Sequence, residues 1–442
     1  NLGQRTVQGG GILIAGHVAK IFLQFLSLAA LGRLLGPEDF GVMAMCWTVL
    51  SFVTLFADFG LSAATIQRKE VDQNAISVLF FVGLGIGLFL TCVLAALAPA
   101  AAAFFNDDRL LLAVPAIALT LPLNWLTAQH YALMNRTMRW TELQVGAILS
   151  QAVSVTVAIA LAYFTTIGFW ALIAQAWLGA LTYSAYLIVR CDWRPSIPTD
   201  WRAASASIKL GLHITGSSVL NYFQQQLDKA LVGWRWGAEE LGHYARAYAL
   251  LQIPINFANS ALAAAVQPAL SRLQDKPEQW RRAYLDALTV AVLMGGAVAA
   301  TLFGGAAPVI RTVYGPDWEA TISIFGVLAQ ALLLITPMSS VNWIYISLGR
   351  GKQMLYWGMM ATPVYVAGFF IGLPNGALGV AVAYCVAAAL LFVPCFIFAV
   401  RNTSVSFGDV MAVILPASLC AAAAGLAIRW LIADASTLLG LF

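Results

Sequence analysis

Long apolar runs recur about every 30 to 40 residues along this 442-residue chain, and they leave little choice of fold. A bilayer core about 30 Å thick is crossed by about 20 helical residues. No water is available there for unpaired backbone groups, so only helices or closed barrels can span it. Runs this long and this apolar read as helices. The expected spans are 10–34, 38–62, 75–104, 109–134, 142–165, 167–189, 210–234, 241–270, 283–306, 320–348, 353–373, 376–400 and 409–432. Only 10% of residues are charged, against about 25% in a soluble domain. The fold class is therefore an all-α polytopic membrane protein. The first run is a full span rather than a cleavable leader. Leu431 to Phe442 is too short for a further crossing, so a fourteenth helix is expected to be incomplete or absent.

Positive charge sorts the connections. With a cytoplasmic N-terminus, the inner segments hold 16 Lys and Arg residues, Arg68, Arg139, Arg190 and Arg281 among them. The outer side holds five: Arg33, Arg109, Arg235, Arg311 and Arg429. That asymmetry sets the orientation. The longest link, Arg190 to Ser207, lies inside and divides the chain near its middle.

The two halves resemble each other. GRLLGPEDFGVMA from Gly32 aligns with GWRWGAEELGHYA from Gly233, and the offset of 201 pairs Glu38 with Glu239 and Gly41 with Gly242. Further on, GFWAL from Gly168 echoes GVAVA from Gly379. Each repeat holds six spans, an even number, so the repeats are parallel and relate by an axis along the membrane normal. The expected domains are an N-terminal lobe at 1–200, a C-terminal lobe at 201–402 and an accessory segment at 403–442. The lobes are expected to form a parallel pseudo-two-fold pair around a central cavity.

Polar residues inside the spans mark candidate sites. Gly211–Gly233 holds eight Leu, Ile, Val and Phe residues. They favour insertion by about 2 to 5 kcal/mol, while Asp228 and Lys229 oppose it by up to about 2.5 to 3.5 kcal/mol each. The segment therefore needs protein neighbours or water. Asn221, Gln225 and Asp228 share one helical face, and the offset of 201 pairs them with Lys20, Gln24 and Ser27. Lys20 lies near mid-span, either facing a cavity as a cation for an anionic substrate or pairing with a carboxylate. Asp228 with Lys229 and Arg246 reads either as a gating network or as a structural ion pair. Asp58 and His213 are further candidates for ion coupling; an interfacial carboxylate and a satisfied polar residue are the plainer readings. The chain has no phosphate-binding GxxxxGK[ST] loop, no HExxH and no paired-Cys metal spacing. Its short outer loops argue against enzyme chemistry.

RLLGPEDFG, FADFGLS, NYFQQQLDKALVG and GAEELGHYARAYALLQIP resemble the motifs of Wzx-type lipopolysaccharide and exopolysaccharide flippases, as do PALSRLQ and VYGPDW. The resemblance runs from about Gly32 to beyond Gly349 and places the chain in the multidrug/oligosaccharidyl-lipid/polysaccharide superfamily. It implies alternating access between two six-helix lobes with one or two extra C-terminal helices. The cargo would be an undecaprenyl-pyrophosphate-linked oligosaccharide, moved from the cytoplasmic to the periplasmic leaflet of a bacterial inner membrane. An H⁺ or Na⁺ gradient rather than ATP would drive it, with no other cofactor. The expected partners are membrane lipids, a polysaccharide polymerase and glycosyltransferases, and no nucleic acid. Lys20 would meet the pyrophosphate and Gln24, Asn221 and Gln225 the glycan, with Lys229 in the same binding set. Asp228, Lys229 and Arg246 would change partners as the lobes rock. Two other readings stay open, a multidrug exporter of the same superfamily and a membrane glycan polymerase. The first span holds Lys20 and no acid, which disfavours a pump for cationic drugs.

Overall fold

The computed structural model describes residues 2–54, 73–198, 222–224 and 226–439. The described residues are almost entirely helical and contain no strand. The chain divides into two compact units. One runs to Tyr222 and takes in Gly237–Glu239; the other comprises Phe223–Trp236 and the chain from Glu240 onward.

The first unit holds α1 (Leu2–Leu34), α2 (Pro37–Thr54), α3 (Gln73–Phe105), α4 (Leu110–Ala118), α5 (Thr120–Arg136), α6 (Trp140–Phe164) and α7 (Trp170–Arg190). Helix α6 packs between α1 and α7. Gly146 gives Tyr183 and Tyr186 room against α6, and Ser150 Oγ donates to the Gly179 carbonyl at 2.8 Å. The span expected at 109–134 is broken into α4 and α5. Carbonyls near the break gain side-chain donors, Trp177 Nε1 on Ala116 O at 2.7 Å and Thr91 Oγ1 on Ala118 O at 3.1 Å. Inside a membrane such capping is what makes an interrupted helix tolerable. The described start of the long link is pinned to α3. Trp193 Nε1 donates to Gln73 Oε1 at 2.7 Å, and the Ser196 N–H donates to Ser77 Oγ at 3.1 Å.

The second unit holds α8 (Leu227–Arg272) apart from Gly237–Glu239, α9 (Pro277–Gly304), α10 (Ala306–Val313), α11 (Glu319–Ser339), α12 (Val341–Ser347), α13 (Gly351–Gly372), α14 (Gly376–Val400) and α15 (Phe407–Leu439). Gly237, at φ 82° and ψ −171°, breaks α8 into two helices where the sequence places the end of one span and the start of the next. The core of this unit gathers Trp280, Tyr284, Ile344, Tyr345 and Phe396, with Trp280 and Tyr284 stacked at 5.6 Å. Helix α15 runs along α9 on small residues, Gly425 against Ala300 and Gly296 against Ala421. Without a hydrophobic effect between helices in lipid, such close approach is the main source of packing energy. The far side of α15, with Leu415, Leu419 and Trp430, is exposed.

Eight stretches of the described chain are long and apolar enough to cross a membrane, and one of them, Gly351–Val400, contains both α13 and α14. The protein is a multi-pass membrane protein. Charges pair at the helix ends: Glu38 and Asp107 both meet Arg109, at 2.8 and 2.6 Å, and Arg281 meets Asp409 at 2.6 Å.

The internal repeat is visible in contacts as well as letters. Asp39 Oδ1 accepts the Phe169 N–H at 2.8 Å, beside Gly168 at φ +58°. Glu240 Oε1 accepts the Ala377 N–H at 3.0 Å, beside Gly376 at φ +71°. The counterpart of Gly168 is thus Gly376, three residues earlier than the echo with Gly379 suggests. Short apolar strings align by composition, whereas a left-handed glycine marks one backbone position.

Candidate functional site in the membrane-spanning helices

Two residues in sequence on one helix meet two residues four apart on the next. Asp228 is 3% exposed, and its Oδ2 accepts from the Tyr244 hydroxyl at 2.7 Å. Its Oδ1 accepts the Lys229 backbone N–H at 2.8 Å. The Lys229 side chain reaches Tyr248, with Nζ 4.9 Å from its ring centroid, and lies 3.1 Å from Gln226 Oε1. Tyr244 and Tyr248 stack at 6.4 Å. The Gly237 break makes this possible by turning the second helix of α8 back on the first. Spacing of four then puts both tyrosines on the same face. Tyr365 and Phe369 on α13 pack around Tyr384 of α14, at 5.4 and 6.3 Å.

A buried carboxylate is expensive unless donors surround it. Here a tyrosine hydroxyl and a backbone N–H do so. Just ahead of it, Gln224 Nε2 donates to Thr362 Oγ1 at 2.6 Å. Arg246 does not join Asp228. It lies two positions from Tyr244, on a different side of the helix, and its carbonyl accepts from the Tyr314 hydroxyl at 3.3 Å. The ion pair that spacing makes plausible is therefore replaced by a tyrosine hydrogen bond. Next to it, His243 Nδ1 lies 2.8 Å from Thr321 Oγ1, and its ring meets Trp318 edge-on at 5.6 Å.

In the first unit the stripe on α1 is split. Ser27 is buried and accepts from Gln175 Nε2 on α7 at 2.8 Å. Lys20 and Gln24, four residues apart, are exposed. Asp58, His213, Asn221 and Gln225 lie outside the described residues. Tyr244 and Tyr248 escape a search for charged and amide side chains. Their signal is the spacing of four in YARAY, which begins seven residues after the glycine turn at Gly237.

Outside the spans, Asp107 sits in the turn between α3 and α4. Burial alone would push its carboxyl up, but hydrogen bonds from the Arg109 guanidinium and N–H hold it below the usual carboxylate range.

A family model described as "Polysaccharide biosynthesis protein" matches residues 30–323, about two thirds of the chain. The chain belongs to that family. The resemblance to Wzx-type exporters read from its motifs is borne out. Among curated relatives it is 22% identical over 356 residues to the succinoglycan biosynthesis transport protein ExoT of Rhizobium meliloti, covering 80% of this chain and 72% of that one. It is 24% identical over 361 residues to the teichuronic acid biosynthesis protein TuaB of Bacillus subtilis, covering 80% and 74%. Among solved structures, the lipid II flippase MurJ in an inward closed conformation aligns over 99% of this chain and 100% of its own, at TM-score 0.73 and 12% identity. An inward-facing multidrug resistance MATE transporter aligns over 88% and 98%, at TM-score 0.63 and 16% identity. At such identities the likeness establishes the fold, the two-lobed fold of these transporters.

Proposed function

We propose that this protein is a flippase for undecaprenyl-pyrophosphate-linked oligosaccharides, moving them from the cytoplasmic to the periplasmic leaflet for polysaccharide export. The observation that carries this reading is the family match combined with the fold of a lipid II flippase. The relatives named as polysaccharide biosynthesis and transport proteins support the same cargo class. The protein acts as a carrier rather than an enzyme. It sits in the inner membrane with its N-terminus in the cytoplasm, and it hands cargo from glycosyltransferases to a polymerase.

Lys20 attracts the pyrophosphate, and its exposure on α1 leaves the ammonium accessible to a ligand. Gln24, Asn221 and Gln225 offer both donors and acceptors to sugar hydroxyls, and Lys229 adds a cation to the binding set. Asp228, held by Tyr244, is the group through which H⁺ or Na⁺ biases the cycle; Asp58, His213 and Arg246 complete the coupling set. Purified protein in proteoliposomes should move fluorescently labelled lipid-linked oligosaccharide across the bilayer, and Lys20→Ala should not. Full activity in that variant would remove Lys20 from the account.

A further inference from the structure

The same joint is built twice, once in each unit. In the first, the carboxylate of Asp39 bridges the turn before α2 to the start of α7. It accepts from Phe169 N at 2.8 Å and, through Oδ2, from Gly36 N at 3.3 Å. In the second, Glu240 bridges the turn after Gly237 to the start of α14, accepting from Ala377 N at 3.0 Å. Each acid is the residue after a matched exposed glutamate, Glu38 or Glu239, and each is itself half-buried. Each also sits against a glycine of positive φ that has no room for a side chain. A Cβ on Gly168 would lie 2.6 Å from Asp39 Oδ1, and one on Gly376 would lie 2.8 Å from Glu240 Oε1. The sequences around the two turns that donate these N–H groups, TIGFWAL and PNGALGV, share little besides the glycine. The acids themselves differ by one methylene. The geometry has survived where the letters have not, which points to a working part.

Its span says what that part does. Each bond joins residues 130 or 137 positions apart. It ties the first outer turn of a six-span repeat to the last span of that repeat. An anionic acceptor on the unpaired N–H groups of a helix start is also well placed electrostatically.

We propose that Asp39 and Glu240 are paired permanent joints. They close each repeat into one rigid piece at its outer end, and they stay shut while the protein changes conformation. This rests on reading the chain as a carrier whose lobes move. It goes beyond that reading in saying which contacts must not break.

The test replaces the hydrogen bond with a covalent tie. The exposed Cys92 and Cys420 are first replaced by serine. Asp39→Cys is then combined with Ile167→Cys, at the exposed position beside Gly168, and the pair is joined by a short bis-methanethiosulfonate reagent, whose disulfide links can be reduced. Asp39→Ala and Glu240→Ala should each slow transport of labelled lipid-linked oligosaccharide about ten-fold, and the bridged pair should recover most of the wild-type rate. Two results would overturn the proposal: wild-type transport in both alanine variants, or a bridged protein that is inactive until the bridge is reduced. If an alanine variant fails to fold, the bridged protein alone decides, because it holds the joint shut.

A second readout needs no substrate, so it stands even if the cargo is wrong. Spin labels at the exposed positions Trp47 on α2 and Ile167 before α7, in the protein whose Cys92 and Cys420 are serine, should give one narrow distance distribution with Asp39 present and a broad one in Asp39→Ala. Equal distributions would mean that the carboxylate fixes nothing.

Discussion

The Tyr244 hydroxyl donates to Asp228 Oδ2 at 2.7 Å, and neither group is open to solvent. In hydrocarbon surroundings that bond makes a carboxylate tolerable in a span that is otherwise a poor candidate for insertion. A hydrogen bond to a charged group is worth about 1.5 to 3 kcal/mol. Tyr244→Phe should therefore lower the thermal unfolding temperature in detergent, while Asp228→Asn, which removes the charge, should be tolerated better. Transport should fall in both, since each disturbs the group proposed to couple the ion. An unaltered unfolding temperature in Tyr244→Phe would mean that the bond is not stabilising.

Lys20 and Gln24 are exposed on one face of α1. If Lys20 meets a pyrophosphate, charge matters more than shape. Lys20→Arg should retain transport, and Lys20→Met, similar in length and neutral, should lose at least about ten-fold, equivalent to about 1.4 kcal/mol. Equal rates in the two variants would show that the cation has no role in recognition.

Acid should expose the Asp107 cluster. The folded carboxyl is held below its unfolded value of about 3.9. A depressed acid contributes stability that is present above that unfolded value and is lost as pH falls through the folded one. Arg109 stays charged throughout, and Glu38, its other partner, is exposed. Unfolding temperatures followed from pH 6 downward should therefore drop less steeply below about pH 4 in Asp107→Asn than in the wild type. Parallel curves would show that this turn does not set the acid limb.

Gly295 of α9 packs on Thr336 of α11, where a Cβ would lie 2.5 Å from the threonine methyl. Gly295→Leu should cost at least about 1 to 3 kcal/mol by overpacking. Leu285, on the same helix, is only partly buried at the edge of the core cluster, so Leu285→Ala should be the milder change. Comparing folded yield by size-exclusion profile checks the order, and a reversed order would contradict the helix packing described here.

Much of this fold is written in the chain's hydrophobic pattern. Span boundaries such as 75–104 and 376–400 fall within two residues of the helices Gln73–Phe105 and Gly376–Val400, because burial in lipid fixes length directly. The breaks at Leu119 and Ser340 are hidden, since a run of apolar residues stays apolar across a kink. The matched turns at Gly36 and Gly237 are legible because tight turns between spans leave few residue choices, whereas the true partner of Gly168 is not, being set by a backbone contact. At the candidate site, Asp228 and Lys229 stand out as charges in a span. Their tyrosine partners do not, because tyrosine is common at membrane interfaces and in cores alike. The wrong partner for Asp228 follows from the same limit: sequence gives Arg246 the right charge but not the helix face.

The most direct test of the proposed function is made in cells. In a strain lacking this gene, undecaprenyl-pyrophosphate-linked oligosaccharide is extracted and its leaflet assigned by its protection from an external, membrane-impermeant glycan-modifying reagent. The account predicts accumulation of intact repeat units confined to the cytoplasmic leaflet, relieved by the wild-type gene and not by Lys20→Met. Repeat units reaching the outer leaflet at the normal rate, in a strain with no second flippase, would contradict it.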